Sequence, residues 1–307
     1  MCLWRTELNM KNVIVTGANG FIGSSLIAKL IKDSINVVAL DISFENSRLP
    51  QSEFIKEITT DLQDVEALIK RIPAVDYDAF YHFAWAGVNG AEKADPIVQL
   101  NNSQITMKCA QIAKRVNCRK FLCAGTIAEK AVESLPHLEK VNGGMMYGTA
   151  KHATHLMLET YCKNIGLDFV WMRFSNIYGP KNKTGNLVSY TLGELMKGNE
   201  AQFGPATQPY DFIYVDDLIE AILRIGKCDT SKNCYFIGSG EPRTLKDYLY
   251  EIGEKCNKKE LIEIGARPDD GIVYTLDMFD ISELKSDIGD YVSKTFSEGI
   301  RYTIENY

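Results

Sequence analysis

A glycine-rich turn directly after a short apolar strand is the feature that most constrains this fold. Residues 13–23 read VIVTGANGFIG, so a β-branched run ends at Gly17 and a helical pattern of apolar residues begins near Gly23. This G-x-x-G-x-x-G spacing differs from the G-x-G-x-x-G of the commonest dinucleotide fingerprint. The pattern predicts a strand, a tight turn and a helix. Two interpretations remain open: the turn cradles a pyrophosphate at the helix N-terminus, or its glycines are structural only.

The composition is that of an ordinary globular protein and excludes several partners. The chain has 307 residues, 45% hydrophobic and 24% charged, with a net charge of −6. This acidic balance argues against a nucleic-acid partner, and no apolar run approaches the ~18 residues of a membrane span. Eight cysteines occur without a C-x-x-C pair, which favours reduced thiols in a cytoplasmic protein. We expect no metal site, because His152 and His155 lack a third ligand at a suitable spacing.

Apolar strand-like runs alternate with helical patterns through the first half of the chain. The strand-like runs cover 13–15, 36–40, 54–58, 79–83, 120–123 and 169–172, with long helical patterns over 96–116 and 147–161. Such alternation predicts an α/β fold with a doubly wound parallel sheet of the Rossmann type. We therefore expect a nucleotide-binding core over 10–175. Residues 176–307 are expected to form mainly a small substrate-binding lobe, with segments that return to the core.

Asp41 stands at the end of the second predicted strand, 18 residues after Gly23. A carboxylate at this place accepts hydrogen bonds from the hydroxyls of an adenosine ribose and repels a 2′-phosphate. Asp41 therefore favours NAD over NADP. The alternative is an ordinary turn residue at a strand end.

Tyr147 and Lys151 are four residues apart on a predicted helix, and Thr126 follows the predicted strand over 120–123. Residues i and i+4 share one helix face, and an ammonium group beside a phenol lowers its pKa and so assists proton transfer. A hydroxyl at the carboxyl end of a parallel strand lies where such sheets bind ligands. The three side chains are candidates for one catalytic site. A solvated helix face is the alternative for the Tyr/Lys pair.

Taken together, these motifs resemble the extended short-chain dehydrogenases/reductases of the NAD-dependent epimerase/dehydratase family, which act on nucleotide sugars. The resemblance covers nearly the whole chain. It rests on TGANGFIG at 16–23, DL at 61–62, HFA at 82–84, Asn102, the set Thr126/Tyr147/Lys151, RFSNIYGP at 173–180, DFIYVDD at 211–217 and Arg267.

The resemblance implies a role for each matching residue. Implied NAD-binding residues are Gly17, Asn19, Gly20, Phe21, Ile22, Gly23, Asp41, Asp61, Leu62, Phe83, Ala84, Asn102, Tyr147, Lys151 and Phe174. Asp61 and Leu62 would hold the adenine, and Asn102 would steady the active-site strand. Implied substrate-binding residues are Thr126, Asn176, Tyr210 and Arg267, with Arg267 at the substrate pyrophosphate. Thr126, Tyr147 and Lys151 are the implied catalytic set.

Three departures from the family pattern narrow the expected reaction. Family 4,6-dehydratases carry Asp-Glu after the catalytic threonine, whereas this chain has Ile127 and Ala128. The 3,5-epimerase/reductases carry a cysteine where this chain has Ile127. An arginine that contacts nucleotide phosphates commonly precedes the D-F segment, and Tyr210 stands there in this chain.

The sequence therefore predicts hydride transfer between NAD and C4 of a nucleotide-activated hexose or deoxyhexose. A 4-epimerase is the first interpretation, and a 4-ketoreductase of NDP-4-keto-6-deoxyhexoses is the alternative. A second alternative is a non-catalytic dinucleotide-binding protein. The helices after Pro96 and over 147–161 resemble the pair that forms a four-helix homodimer interface in this family, although their apolar stripes could equally belong to the core.

Overall fold

We describe the fold from a computed structural model covering residues 9–133, 141–182, 184–269 and 271–307. The strands are, in chain order, β1 (Asn12–Thr16), β2 (Asn36–Asp41), β3 (Ile55–Thr59), β4 (Tyr77–His82), β5 (Cys118–Thr126), β6 (Asp168–Phe174), β7 (Asn176–Tyr178), β8 (Ala201–Phe203), β9 (Pro209–Tyr210), β10 (Phe212–Tyr214), β11 (Cys234–Ile237), β12 (Arg243–Thr244) and β13 (Ile262–Ile264). The α-helices are α1 (Phe21–Leu30), α2 (Val65–Arg71), α3 (Pro96–Arg115), α4 (Ala128–Glu133), α5 (Met145–Ile165), α6 (Leu187–Lys197), α7 (Val215–Lys227), α8 (Leu245–Lys255), α9 (Ser282–Ile288) and α10 (Phe296–Glu305).

Seven parallel strands form the central sheet in the order β11-β6-β5-β4-β1-β2-β3. The chain builds outward in both directions from β1, so the strand order reverses between β1 and β4. Thr16 and His82 are register partners at the carboxyl ends of these two strands. A crevice at such a reversal is where open α/β sheets bind ligands. The prediction of a doubly wound Rossmann-type α/β fold is confirmed.

The central strands are buried because helices cover both faces of the sheet. In β1, Val13 and Val15 belong to one apolar cluster while Ile14 belongs to the other. This alternation follows from the two-residue period of a strand. Helices α1 and α7 pack together on the first face, and α3 packs on α5 on the second. Burial on both faces explains why these strands read as continuous apolar runs rather than as alternating ones.

The chain after residue 175 forms three two-stranded sheets in addition to its helices. β7 pairs with β10, β9 with β12, and β8 with β13. These strands have only two or three residues, too few for a period of two to be recognised in the sequence. β11 leaves this region and pairs with β6 at the edge of the central sheet. No helix in the described part of the chain has both the length and the apolar character needed to cross a membrane.

Helix α10 approaches β7 and β10 closely at Gly299. A Cβ atom at Gly299 would overlap the hydroxyl of Tyr178 and lie 3.0 Å from Cδ2 of Tyr214. Both rings are buried, so neither can move away cheaply. Gly299 is therefore a packing requirement of the lobe.

We expect Gly299→Ala to lower the free energy of unfolding by about 1–3 kcal/mol through overpacking, although alanine has the higher helix propensity. Urea denaturation monitored by circular dichroism measures the change. Gly193→Ala in α6 is the matched control, because its Cβ would meet only the exposed Tyr307 hydroxyl at 3.2 Å. Equal stability of Gly299→Ala and the wild-type chain would contradict the packing argument.

Candidate active site

The glycine turn forms an open backbone surface at the carboxyl end of β1. Gly17 has φ of +64°, and a Cβ there would lie 2.8 Å from the backbone nitrogen of Ala84. A Cβ at Gly23 would overlap the carbonyl oxygen of Gly17. Gly20 begins α1 in an extended conformation and supplies no side-chain cap. The first-turn N–H groups of α1 are therefore available to an anion, as a dinucleotide pyrophosphate requires.

Asp41 lies beside this turn at the end of β2. Its Oδ2 atom accepts a hydrogen bond from the backbone nitrogen of Asn19 at 2.9 Å, and Oδ1 accepts from that of Ile42 at 2.8 Å. The Asn19 side chain accepts from the Arg48 backbone nitrogen at 2.8 Å and donates to the Ser43 carbonyl at 3.0 Å. These bonds hold the carboxylate in place at the strand end. Oδ1 also accepts from the backbone nitrogen of Ser43 at 3.4 Å, so Oδ2, with one such bond, keeps a second lone pair for a ribose hydroxyl.

The other predicted cofactor residues occupy the carboxyl ends of neighbouring strands. The rings of Phe83 and Phe174 lie 6.4 Å apart, and Ala84 contacts the Gly17 turn. Leu62 is buried with φ of +62°, whereas Asp61 is exposed and accepts from the Gln63 backbone nitrogen at 3.0 Å. The family-implied role of Asp61 and Leu62 at the adenine stays a prediction.

Asn102 acts on the backbone of the loop after β4. It is buried, its Oδ1 atom accepts from the backbone nitrogen of Ala86 at 2.9 Å, and Nδ2 donates to the Ala86 carbonyl at 2.8 Å. Nearby, His82 lies within hydrogen-bond distance of the hydroxyls of Thr16 and Thr106. Burial lowers the pKa of His82 to about 3, so this imidazole is neutral. Any effect of Asn102 on a cofactor would pass through the Ala86 loop.

A cavity of about 350 Å³ lies where these elements meet. It brings together most of the residues predicted for the site, namely Gly17, Gly20, Phe21, Ile22, Gly23, Phe83, Thr126, Tyr147, Lys151, Phe174 and Asn176. It also includes residues that the sequence did not point to, among them Asn89, Asn182, Asn186 and Leu187. The only signal for Asn182 and Asn186 was a Gly- and Asn-rich loop over 179–186.

Thr126 and Tyr147 both line this cavity. The rings of Tyr147 and Trp85 contact edge to face at 6.2 Å. Burial raises the pKa of Tyr147, and the Thr126 hydrogen bond opposes that rise. The phenol is therefore protonated at neutral pH, with its hydroxyl next to a second hydroxyl.

Lys151 is buried on the α5 turn next to Tyr147, with only 3% of its surface exposed. Its Nζ atom donates to the Ala124 carbonyl at 2.6 Å and lies 3.7 Å from the centre of the Trp85 ring. Burial lowers the pKa of Lys151 to about 8, although the Cys123 thiol and Glu129 act in the opposite direction. The predicted i, i+4 arrangement brings this amine and the phenol to one cavity.

Asn176 is held by Tyr210, the residue that replaces the arginine of the family pattern. The Tyr210 hydroxyl donates to Oδ1 of Asn176 at 2.9 Å, and Nδ2 of Asn176 donates to the Asp211 carbonyl at 3.1 Å. Asn176 thus faces the cavity with its amide orientation determined by two protein contacts.

Arg267 lies in a neighbouring cavity of about 310 Å³ that also includes Tyr210 and shares Leu187 with the first. Its guanidinium donates to the Tyr190 hydroxyl at 2.7 Å, and its backbone nitrogen donates to the Phe203 carbonyl at 3.0 Å. A larger cavity of about 490 Å³ lies between α6 and α10, but it contains none of Thr126, Tyr147 and Lys151. The predicted chemistry therefore belongs to the smaller pair of cavities.

Comparison with known proteins identifies a matching family and several relatives. The model of the NAD dependent epimerase/dehydratase family matches residues 13–238. A putative UDP-glucose 4-epimerase of Methanocaldococcus jannaschii is 26% identical over 310 residues, covering 95% of this chain and 97% of the relative. A dTDP-4-dehydro-6-deoxyglucose reductase of Escherichia coli is 25% identical over 273 residues, covering 83% and 85%.

A solved dehydratase shares the fold. The dTDP-glucose 4,6-dehydratase of Bacillus anthracis, in complex with NAD, superposes with a TM-score of 0.78 at 19% identity and covers 96% of both chains. The similar proteins thus include an epimerase, a reductase and a dehydratase. Because the family model spans more than half of the sequence, the chain belongs to the NAD-dependent epimerase/dehydratase family.

Proposed function

We propose that this protein is a 4-epimerase that oxidises and re-reduces C4 of a nucleotide-activated hexose or deoxyhexose with NAD. The proposal rests on which titratable side chains line the cavity. Among its described lining residues, Tyr147 and Lys151 are the titratable side chains, and no carboxylate, imidazole or thiol lines it. Hydride transfer at a carbinol carbon needs one proton-exchanging group at the oxygen, which Tyr147 supplies.

Elimination across C5 and C6 is disfavoured by the same chemistry. It requires a further acid and base to remove a proton and a hydroxyl, and Ile127 and Ala128 occupy the places of the dehydratase acids. Ile127 is buried. Glu129 is close in sequence, but it is fully buried and is not a lining residue of the cavity.

The residues at the cavity have distinct roles in this proposal. A bound NAD supplies the hydride acceptor and donor. In its phenolate form, Tyr147 takes the proton from the C4 hydroxyl and returns it to the oxygen in the reverse step, while Thr126 orients that oxygen by a hydrogen bond. Lys151, once protonated, favours the phenolate of Tyr147 and binds the nicotinamide ribose. Gly17, Gly20 and Gly23 leave the backbone open for the pyrophosphate.

The nucleotide of the substrate is assigned to the second cavity. The shared residue Leu187 joins it to the catalytic cavity, so a sugar at Tyr147 and a nucleotide beside Tyr210 can belong to one molecule. Arg267 provides a guanidinium for a phosphate contact, which offsets the net negative charge of the chain locally.

Replacing the phenol of Tyr147 tests the reaction directly. We expect Tyr147→Phe to lower kcat by at least about a hundredfold, because the proton-exchanging group is lost. Purified protein is incubated with UDP-, GDP-, CDP- and dTDP-sugars, without added cofactor and then with NADH, and the products are resolved by chromatography. Tyr302→Phe, at an exposed ring on α10, is the matched control with unchanged activity.

The two assay conditions separate epimerase from reductase. Conversion without added cofactor supports an epimerase with resident NAD. Stoichiometric NADH consumption with a 4-keto sugar would identify the reductase instead. Equal inactivity of the wild-type chain and Tyr147→Phe on the whole panel would overturn the enzyme proposal.

Asp41 tests the choice of cofactor. We expect NADH to bind at least about tenfold more tightly than NADPH, a difference of ~1.4 kcal/mol, because a 2′-phosphate would meet the Asp41 carboxylate. Asp41→Ser removes the repulsion and should narrow this ratio, whereas Asp33→Ser, at an exposed ion pair with Lys227, should leave it unchanged. Fluorescence titration measures both affinities. A tenfold preference of the wild-type chain for NADPH would refute the assigned role.

We also propose a homodimer through α3 and α5. These neighbouring helices expose Ile97 and Leu100 on α3 and Leu156 and Met157 on α5, each more than 40% exposed. Two copies of this helix pair would bury the four side chains in a four-helix interface.

We expect a dimer mass for the wild-type chain by light scattering and a monomer for Leu156→Glu, since burying an unpaired charge opposes association. Leu276→Glu, at an equally exposed leucine in the lobe, is the control that should stay dimeric. A monomeric wild-type chain at micromolar concentration would contradict this interface.

A further inference from the structure

A buried carboxylate lies directly behind the catalytic cavity and takes no part in the mechanism above. Glu129 is fully buried, and its two oxygens accept hydrogen bonds from three groups. The backbone nitrogen of Thr126 donates at 2.8 Å, the indole of Trp171 at 3.0 Å and Nε of Arg173 at 2.9 Å. Since every neighbour is a donor, the arrangement suits the ionised carboxylate and leaves no acceptor for a carboxyl proton.

Two of the three donors to this carboxylate come from one face of β6. Trp171 and Arg173 are two residues apart, so their side chains point to the same side of the sheet. Arg173 pairs in register with Gly125 on β5, one residue before Thr126. Arg173 also holds Oε1 of Glu133 through Nη2 at 2.9 Å. A single buried guanidinium therefore bridges two carboxylates on α4.

Gly125 leaves the space in which this network sits. A Cβ atom at Gly125 would overlap Nε1 of Trp171 and lie 2.7 Å from Oε1 of Glu129. The strand end that carries Thr126 is thus shaped around the indole and the carboxylate. The φ of Gly125 does not itself require glycine. The close approach of the indole and the carboxylate explains why a glycine stands there.

We propose that Glu129, Trp171 and Arg173 form a positioning unit that holds the Thr126 backbone in place and so sets the Thr126 hydroxyl against Tyr147. Glu129 does not line the cavity, and its direct contact with the site is the hydrogen bond from the Thr126 amide. Thr126 in turn lines the cavity together with Tyr147, and its hydroxyl lowers the pKa of the phenol. The unit deepens the proposed function and rests on it for its effect on turnover.

The unit also acts on the cavity through its charge. The negative charge of Glu129 raises the pKa of both Lys151 and Tyr147. Burial and the Lys151 charge lower the pKa of His82 to about 3, and burial raises that of Cys123 to about 12. Burial also raises the pKa of Glu129, while Arg173 and the donated hydrogen bonds oppose that rise. Lys151 is the basic group of this cluster whose pKa lies between pH 6 and pH 10. The titratable groups that face it are Tyr147 on its own helix and, from three other elements, His82, Cys123 and Glu129.

Glu129→Gln tests the unit because it keeps the shape and removes the charge. We expect kcat to fall by about tenfold to a hundredfold from the misplaced hydroxyl, with KM for the nucleotide sugar changed by less than about threefold, because the substrate does not touch Glu129. Removing the negative charge lowers the pKa of Lys151, so the alkaline limb of the pH profile, on which Lys151 loses its proton, should move to lower pH by roughly half a unit to one unit.

Glu133→Gln is the matched control. Its carboxylate also pairs with Arg173, but the Thr126 amide donates to Glu129 instead, so the same substitution at Glu133 should leave kcat within about threefold and the pH profile unchanged. Circular dichroism and thermal melting confirm that both variants are folded. Equal losses in the two variants, or wild-type kcat and pH profile in folded Glu129→Gln, would overturn the proposal.

A readout independent of turnover separates this proposal from the proposed function. Because Nζ of Lys151 lies 3.7 Å from the Trp85 ring, its protonation should change tryptophan fluorescence with a midpoint near pH 8. The midpoint should be absent in Lys151→Met and lower in Glu129→Gln. A lower midpoint in a chain that turns over no sugar supports the unit while the proposed function fails. An unmoved midpoint in folded Glu129→Gln overturns the charge coupling.

Trp171→Phe keeps the proposal falsifiable if Glu129→Gln does not fold. It deletes one donor and retains the ring and the Glu129 charge. We expect a severalfold loss of kcat with an unmoved fluorescence midpoint. Wild-type kcat in this variant would overturn the positioning role.

Discussion

Parallel pairing of β1, β4 and β5 determines where the functional groups of this protein lie. The register Thr16 with His82, and His82 with Cys123, ends the three strands at one edge of the sheet. The glycine turn, the loop after β4 and Thr126 all follow these ends within a few residues. Because parallel strands share one direction, segments far apart in sequence must meet there. The cavity is a consequence of this register.

Helix α5 adds the remaining chemistry to the same edge at an electrostatic cost. It buries Lys151, which no carboxylate of the described residues contacts directly, and a buried charge is unfavourable unless it is compensated. The Ala124 carbonyl at 2.6 Å and the Trp85 ring at 3.7 Å provide part of that compensation. The lowered pKa of about 8 reflects the part of the burial cost that these two contacts do not offset. An amine that titrates near physiological pH is suited to tune a neighbouring phenol.

Local patterns in the sequence predicted the sheet, the turn and the Tyr147/Lys151 pair, because each depends on residues within one element. The contacts that orient these groups were not predictable in this way. Tyr210 reaches Asn176 across 34 residues, and Glu129 reaches Trp171 and Arg173 across 42 and 44. Such contacts depend on strand register and helix placement. The two-residue period of a strand and the 3.6-residue period of a helix do not encode either of them. In the sequence, no motif distinguishes Glu129 from any other acidic residue.

The sequence by itself determined the doubly wound α/β fold, the glycine turn after β1 and the candidate pair Tyr147 and Lys151. Glycine spacing, strand-end residues and an i, i+4 pair are properties of adjacent residues and need no knowledge of distant ones. The tertiary structure alone decided that the cavity is lined by a phenol and an amine without a carboxylate among its described residues. It also turned Glu129 away from that cavity and into the core. Burial is the physical reason. The packing against one side of a short helix determines which side faces the cavity.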